Sequence, residues 1–215
     1  MEELRKKIAE DLLSARAVFL RPQEPFVWAS GIKSPIYCDN RLTLTDVRVR
    51  TDVENGLAAL VRENYPGAQA LFGTSTAGIA HAAITAHLLG LPMGYVRSGN
   101  KDHGRQNRIE GRLDPGESVV VVEDLISTGG SVIETAQALR EAGAQVLGIV
   151  CIFTYGMKAG LERLAAAGLS AVSLTDFDAV VDAAAENGSI PAGSAAALRR
   201  FRDDPSDERW IGDVK

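Results

Sequence analysis

The stretch Val119–Ser131, VVVVEDLISTGGS, decides how the rest of the chain reads. Four consecutive valines, Val119 to Val122, have the β-branched composition of a strand buried on both faces. An acidic pair follows, Glu123 and Asp124, and then the apolar Leu125 and Ile126. Ser127-Thr128-Gly129-Gly130-Ser131 leads into a helical pattern over Val132–Arg140. A helix start offers unpaired backbone N–H groups and a positive dipole end, and glycine lets the backbone come close to an anion. Carboxylates repel a phosphate, but beside such a loop they accept hydrogen bonds from sugar hydroxyls or stand near a magnesium ion. The local chemistry points to a phosphorylated sugar, with the phosphate on the loop and the ribose on the acids. The same residues also suit an ordinary strand-to-helix turn with a Ser or Thr cap and two solvated acids.

The spacing is neither the GxxxxGK[ST] of nucleotide triphosphatases nor the GxGxxG dinucleotide fingerprint. It resembles the 5-phosphoribosyl 1-diphosphate (PRPP) binding motif of type I phosphoribosyltransferases: an apolar run, two acids, two apolar residues, then a Ser/Thr/Gly loop. The match covers thirteen residues and is specific.

Length and composition fit such a chain. At 215 residues it suits a single domain, 1–215, with a sizeable core. Hydrophobic content of 46% and charged content of 24% are those of a globular protein, and a net charge of −5 argues against a nucleic-acid or anionic-membrane binder. Cys38 and Cys151 show neither metal-ligand spacing nor a disulfide framework, so a reducing cytoplasm is expected. The charged stretch MEELRKKIAEDLLSAR is neither a signal peptide nor a membrane anchor, and no segment reaches spanning length.

Helical spacing of Leu4, Ile8, Leu12 and Leu13 predicts an amphipathic helix over 2–16. Residues 25–40, PFVWASGIKSPIYCDN, read as a hairpin or irregular strand pair, a small flap. Thr45 and Asp46 start a helix from Val47 to about Asn64. Strands and helices then alternate: strand 70–72, helix 79–89, strand 93–96, the central strand and helix over 118–142, strand 146–153, helix 157–167, strand 171–174 and helix 176–186. A last helix runs to about Arg202, followed by a charged tail to Lys215. Such alternation implies right-handed βαβ units: an α/β fold with a mainly parallel central sheet and helices on both faces. Ligands of these sheets bind beyond the carboxyl ends of the strands, where loops 73–78, 98–112 and 123–131 would converge.

The loop 98–112, SGNKDHGRQNRIEGR, with Arg97 carries five basic residues against Asp102 and Glu110. Its length and charge suit a lid whose cations neutralise a diphosphate leaving group, or a solvated surface loop. Arg97, Lys101, Asp102, His103 and Gly104 resemble the catalytic loop that marks orotate phosphoribosyltransferases. That resemblance implies a loop that closes over PRPP from the neighbouring subunit of a homodimer. Ser98 stands where many members have a lysine, as do Ala77 in the Gly73–Gly78 loop and Ala29 in the flap. Residues of about 20–42 are similar to the hood that shapes the nitrogenous-substrate pocket, with Tyr37 and Cys38 near the ring and Lys33 a candidate for its carboxylate. Tyr155 takes roughly the place of an arginine found in some members.

Carried over position by position, the resemblance implies transfer of a phosphoribosyl group from PRPP to orotate in pyrimidine (UMP) biosynthesis. Lys101, His103 and Asp124 are the expected catalytic residues. Arg97, Lys101, His103, Glu123, Asp124, Leu125, Ile126, Ser127, Thr128, Gly129, Gly130 and Ser131 would bind PRPP, and Ser127 would also contact orotate. Magnesium would be held mainly through PRPP and water, with no residue assigned as a metal ligand. Two rivals are a purine phosphoribosyltransferase, which the KDHG sequence opposes, and a nucleic-acid-binding regulator, which the acidic total opposes.

Overall fold

The computed structural model describes residues 1–28, 31–99, 108–191 and 193–214. Helix α1 (Glu2–Ser14) leads to β1 (Val18–Leu20), a hairpin of β2 (Phe26–Val27) and β3 (Lys33–Ser34), and β4 (Ile36–Cys38). A 3-10 turn, Asn40–Thr45, precedes α2 (Val47–Asn64). Asp46 caps α2 by accepting a hydrogen bond from the Val49 N–H at 3.0 Å. Then come β5 (Ala70–Thr74), α3 (Ala77–Leu89), β6 (Met93–Val96), β7 (Ile109–Glu110), β8 (Ser118–Ile126), α4 (Gly130–Glu141) and β9 (Gln145–Thr154). The chain ends with α5 (Lys158–Ala166), β10 (Ala171–Asp176), α6 (Phe177–Glu186), α7 (Ser194–Asp203) and a 3-10 turn, Glu208–Asp213.

The main sheet has the order β10-β9-β8-β5-β6-β7, parallel throughout except for the edge pair β6–β7. β1 with β4, and β2 with β3, form two small antiparallel pairs that make up the flap. The expectation of a mainly parallel sheet with an N-terminal hood therefore holds.

The four valines explain why β8 lies in the middle. Val120 and Val122 belong to the core cluster that also takes residues of α1, α2, α3, α6 and α7, while Val119 and Val121 belong to the one that takes Val132, Ala136 and Leu139 of α4 and Leu164 of α5. Successive side chains of a strand point to opposite faces, so an unbroken β-branched run is what a two-sided core requires. Full burial of each such side chain stabilises the fold by about 1.5–3 kcal/mol.

Three expectations are corrected. β8 does not stop at the valines: Leu125 and Ile126 remain paired to Phe153 and Thr154 of β9, so Glu123 and Asp124 are strand residues and the turn is confined to Ser127–Gly129. The connection 98–112 is not loop throughout, because Ile109 and Glu110 return as an edge strand beside Val96 and Tyr95. The charged C-terminal tail does not stand apart from the core. Trp210 is buried, its ring 5.7 Å from that of Phe201.

Between α2 and α3 lies a buried polar contact in which His81 Nδ1 is 2.6 Å from Glu54 Oε1, and Thr85 donates to Glu54 Oε2 at 3.0 Å. Among the described residues no helix is long and apolar enough to cross a membrane.

Candidate active site

Strand order fixes where a ligand crevice must lie. After β5 the chain crosses to β6 on one side, and after β8 it crosses to β9 on the other. β5 and β8 are neighbours, with Gly73 opposite Val122, so the switch in direction falls between their carboxyl ends. The loop after β5 and the turn after β8 open there together.

The first loop depends on close backbone approach. A Cβ on Gly78 would lie 2.5 Å from the Val122 carbonyl oxygen and 2.6 Å from Thr74 Oγ1, and one on Gly73 would lie 2.8 Å from the Gly78 carbonyl oxygen. Neither position admits a side chain. Ser75 N–H donates to the Val96 carbonyl at 3.1 Å, which ties the loop to β6, and the Ser75–Thr76 peptide is cis. Ala77 is the first residue of α3.

Glu123 joins this loop to the second one. Its Oε1 accepts from Thr74 Oγ1 at 2.5 Å and from the Asp124 N–H at 3.0 Å, and its Oε2 accepts from Ser131 Oγ at 3.0 Å. The carboxyl is buried, and burial together with the neighbouring Asp124 carboxylate pushes its pKa up to about 8. Asp124 itself is half-buried, and its backbone carbonyl accepts from Asn40 Nδ2 at 2.7 Å. Asn40 also receives the Cys38 thiol at 3.2 Å, so the flap is tied to the acidic strand end.

Gly129 adopts φ 75° and begins α4 without a side-chain cap. Ser131 Oγ, in the first turn, is engaged with Glu123 rather than with the helix start. The first N–H groups of a twelve-residue helix are thus left to an incoming anion. Two residues of α5 support the turn. Gly160 packs so closely under the Ser127 carbonyl that a methyl group there would collide with it, and a Cβ on Gly130 would stand 3.6 Å from Arg163 Nη2.

Beside the turn, between flap and sheet, a cavity of about 200 Å³ is lined by Trp28, Tyr37, Cys38, Leu125, Ser127 and Tyr155. Burial raises the pKa of the Cys38 thiol and of the Tyr155 phenol, so both are neutral walls. Cys151 is a buried core residue.

Glu123, Asp124 and the Ser127–Ser131 turn therefore lie together at the crevice, and Ser127 also lines the flap cavity. Arg97, at the end of β6, places Nη1 3.3 Å from Glu110 Oε1. Lys101 and His103 lie outside the described residues. Lys33 does not line the cavity; its Nζ pairs with Glu208 at 2.9 Å. Asn40, Arg163 and Gly160 escaped the sequence reading. Only Gly160 carried a signal, as a glycine inside a helical pattern.

The family described as "Phosphoribosyl transferase domain" matches residues 44–183. An orotate phosphoribosyltransferase of Bacillus anthracis is 53% identical over 208 residues, 97% of this chain and 99% of that one. The chain belongs to the orotate phosphoribosyltransferase family. Among solved structures, the orotate phosphoribosyltransferase of Aeropyrum pernix is 31% identical with a TM-score of 0.74, covering 85% of this chain and 98% of that one. The UMP synthase of Leishmania donovani is 25% identical with a TM-score of 0.78 over 92% of this chain, which spans 42% of that longer protein. Family membership agrees with the crevice at the switch point and with the α/β fold.

Proposed function

We propose that this chain transfers the 5-phosphoribosyl group of PRPP to orotate, giving orotidine 5′-monophosphate and diphosphate in pyrimidine (UMP) biosynthesis. The observation that carries the reading is the meeting, at one switch point, of a free helix start, an acidic strand end and a neutral aromatic cavity, in a chain related to this family along nearly its whole length.

In the reaction the bond between ribose C1 and the diphosphate oxygen breaks, a bond from C1 to a ring nitrogen of orotate forms, and the proton of that nitrogen passes to the released diphosphate. C1 gains positive charge on the way. The N–H groups of Thr128–Ser131 hold the 5-phosphate, and Leu125 and Ile126 set the height of that turn through their pairing to β9. Arg163 adds a cation beside Gly130. Asp124 accepts hydrogen bonds from the ribose hydroxyls and stabilises the charge at C1, while Glu123 beneath it fixes both loops and contributes the second carboxyl. Ser127 takes one edge of orotate in the flap cavity. Arg97, Lys101 and His103 neutralise the departing diphosphate, and closure of the 98–112 loop excludes water so that PRPP is not hydrolysed.

Magnesium belongs to the same reading. Among the described residues no three His, Cys, Asp or Glu side chains stand together to hold a metal. The half-buried Asp124 carboxylate suits an ion that takes most of its ligands from substrate oxygens and water. When bound, it would screen the diphosphate charge, with Asp124 as the protein's contribution.

The chain acts as one domain over residues 1–215, with about 20–42 as hood, in the cytoplasm. It works as a homodimer that shares the 98–112 loop across subunits, and it binds neither nucleic acid nor membrane. The test is loss of orotate ultraviolet absorbance. Loss should require both PRPP and magnesium, and Lys101→Ala should lower kcat by about 10²-fold or more. Orotate left unchanged by folded protein that still binds PRPP would reject the reading.

A further inference from the structure

Trp28 belongs to the flap cavity and is held from a distant part of the chain. The β2–β3 hairpin that carries it has only two residue pairs, Phe26 with Ser34 and Val27 with Lys33. Near its tip, Trp28 N–H donates to the Ile32 carbonyl at 2.9 Å and Gly31 N–H donates to the Trp28 carbonyl at 2.8 Å. A two-stranded ribbon this short does not hold its own position in water. Packing must set where Trp28 points.

That packing comes from two directions. On the cavity side the indole meets Tyr155 edge-on, with centroids 5.8 Å apart and planes at 80°. Behind it stands Phe201 of α7, also edge-on at 5.8 Å and 78°. Phe201 is buried and is itself wedged by Trp210 at 5.7 Å and Phe177 at 6.3 Å. Outside, the Lys33–Glu208 ion pair ties the hairpin to the same C-terminal segment. On the far side of Trp28 a second cavity, of about 450 Å³, is lined by Ile32, Thr128, Met157 and the turn Asp203–Ser206. An indole released from Phe201 therefore has somewhere to go.

We infer that Trp28 is an aromatic wall of the pyrimidine subsite, and that the C-terminal segment from α7 to Trp210 holds it there as a positioning element. The inference rests on the proposed use of orotate. It makes Trp28 a specificity-determining residue that touches the planar base, and Phe201 and Trp210 residues that act through it. The segment after Asp203 thereby acquires a role in base affinity.

The experiment compares wild type, Trp28→Ala and Phe201→Leu by KM for orotate, KM for PRPP, kcat and thermal melting. Phe201→Leu should raise the orotate KM about three- to tenfold, the loss of one aromatic edge contact, and leave the PRPP KM within about twofold. Phe201→Tyr should restore the orotate KM. Trp28→Ala, at a half-buried position, should raise the orotate KM at least as far. A folded Phe201→Leu protein with unchanged orotate KM, or with both KM values raised together, overturns the inference. A second measurement does not depend on that variant folding. Trp28 and Trp210 are the two tryptophans of the chain, and the Trp210 indole N–H has no partner among the described residues. Trp210→Phe thus loses no hydrogen bond, keeps an aromatic ring beside Phe201 and leaves Trp28 as the sole tryptophan, excited selectively over the four tyrosines. Its emission should change on titration with orotate, and a flat signal at saturation overturns the wall assignment. If wild type binds PRPP but consumes no orotate, the functional reading itself fails and this inference falls with it; wild-type turnover with unaffected variants removes the inference alone.

Discussion

The Thr74 hydroxyl donates to the Glu123 carboxyl at 2.5 Å, and through that bond the end of β5 is fastened to the end of β8 at the point where the sheet changes direction. Glu123 also takes Ser131 Oγ at 3.0 Å, so a single buried carboxyl positions both the Gly73–Gly78 loop and the Ser127–Ser131 turn. Thr74→Val removes the donor and leaves a buried carboxyl short of a partner. The cost should be about 1–3 kcal/mol of stability, read by chemical unfolding, with a raised KM for PRPP.

Glu123 also sets a pH dependence. Its pKa is pushed from the usual carboxyl value to about 8 by burial and by Asp124. Between roughly pH 4.5 and 8 the unfolded chain has lost a proton that the folded chain keeps, so stability falls as pH rises through that window. Glu123→Gln removes the titration. The stability of the variant relative to wild type should climb by up to about 1.4 kcal/mol per pH unit across the window and level off above it. Parallel curves for the two proteins would contradict the assignment.

Arg163 stands beside Gly130 on the turn assigned to the 5-phosphate. Arg163→Gln should raise the KM for PRPP about tenfold, the scale of one charge-assisted hydrogen bond, with the orotate KM little changed and Arg163→Lys intermediate. Initial rates at varied PRPP and fixed saturating orotate decide it.

Gly160 of α5 carries the Ser127 carbonyl almost against its backbone. Gly160→Ala forces the turn to move, and Ser127 with it. Both substrate KM values should rise together, which separates this variant from Phe201→Leu, where only the orotate KM moves.

At the carboxyl end of the edge strand β10, Asp176 caps α6 by accepting from Ala179 N–H at 3.0 Å, and it binds Arg5 through two bonds of 2.6 and 2.7 Å. Burial alone would raise its pKa, but the Arg5 guanidinium outweighs this and holds it below the usual value. Its contribution is therefore fully present above the ordinary carboxylate pKa and is lost as pH falls from there through its own lowered value. Asp176→Asn keeps a good cap and loses the ion pair. It should cost about 1–2 kcal/mol at pH 7, with the difference shrinking toward pH 3 in thermal melts.

The sheet and its order of elements were legible because the valine run, the caps and the alternation of periods are local signals. The start of the helix at Val47 and the strand Met93–Val96 agree with the sequence reading to the residue for that reason. The end of β8 was not, since Glu123 and Asp124 look like loop residues and only pairing with β9 makes them strand. The Ser127–Ser131 turn and the acidic pair were readable as a motif. The inward role of Glu123 was not, because it depends on Thr74, a residue from another strand. Long-range partners are likewise why the places of Lys33, Arg163 and Trp210 were not legible: Glu208, Gly130 and Phe201 lie far from them in the chain.

The most direct test offers purified protein, with PRPP and magnesium, a panel of orotate, uracil, adenine and hypoxanthine, and follows both base consumption and diphosphate release. Orotate alone should be consumed, with one diphosphate released for each orotidine 5′-monophosphate formed. Consumption of a purine in preference, or diphosphate release without loss of orotate, would contradict the account.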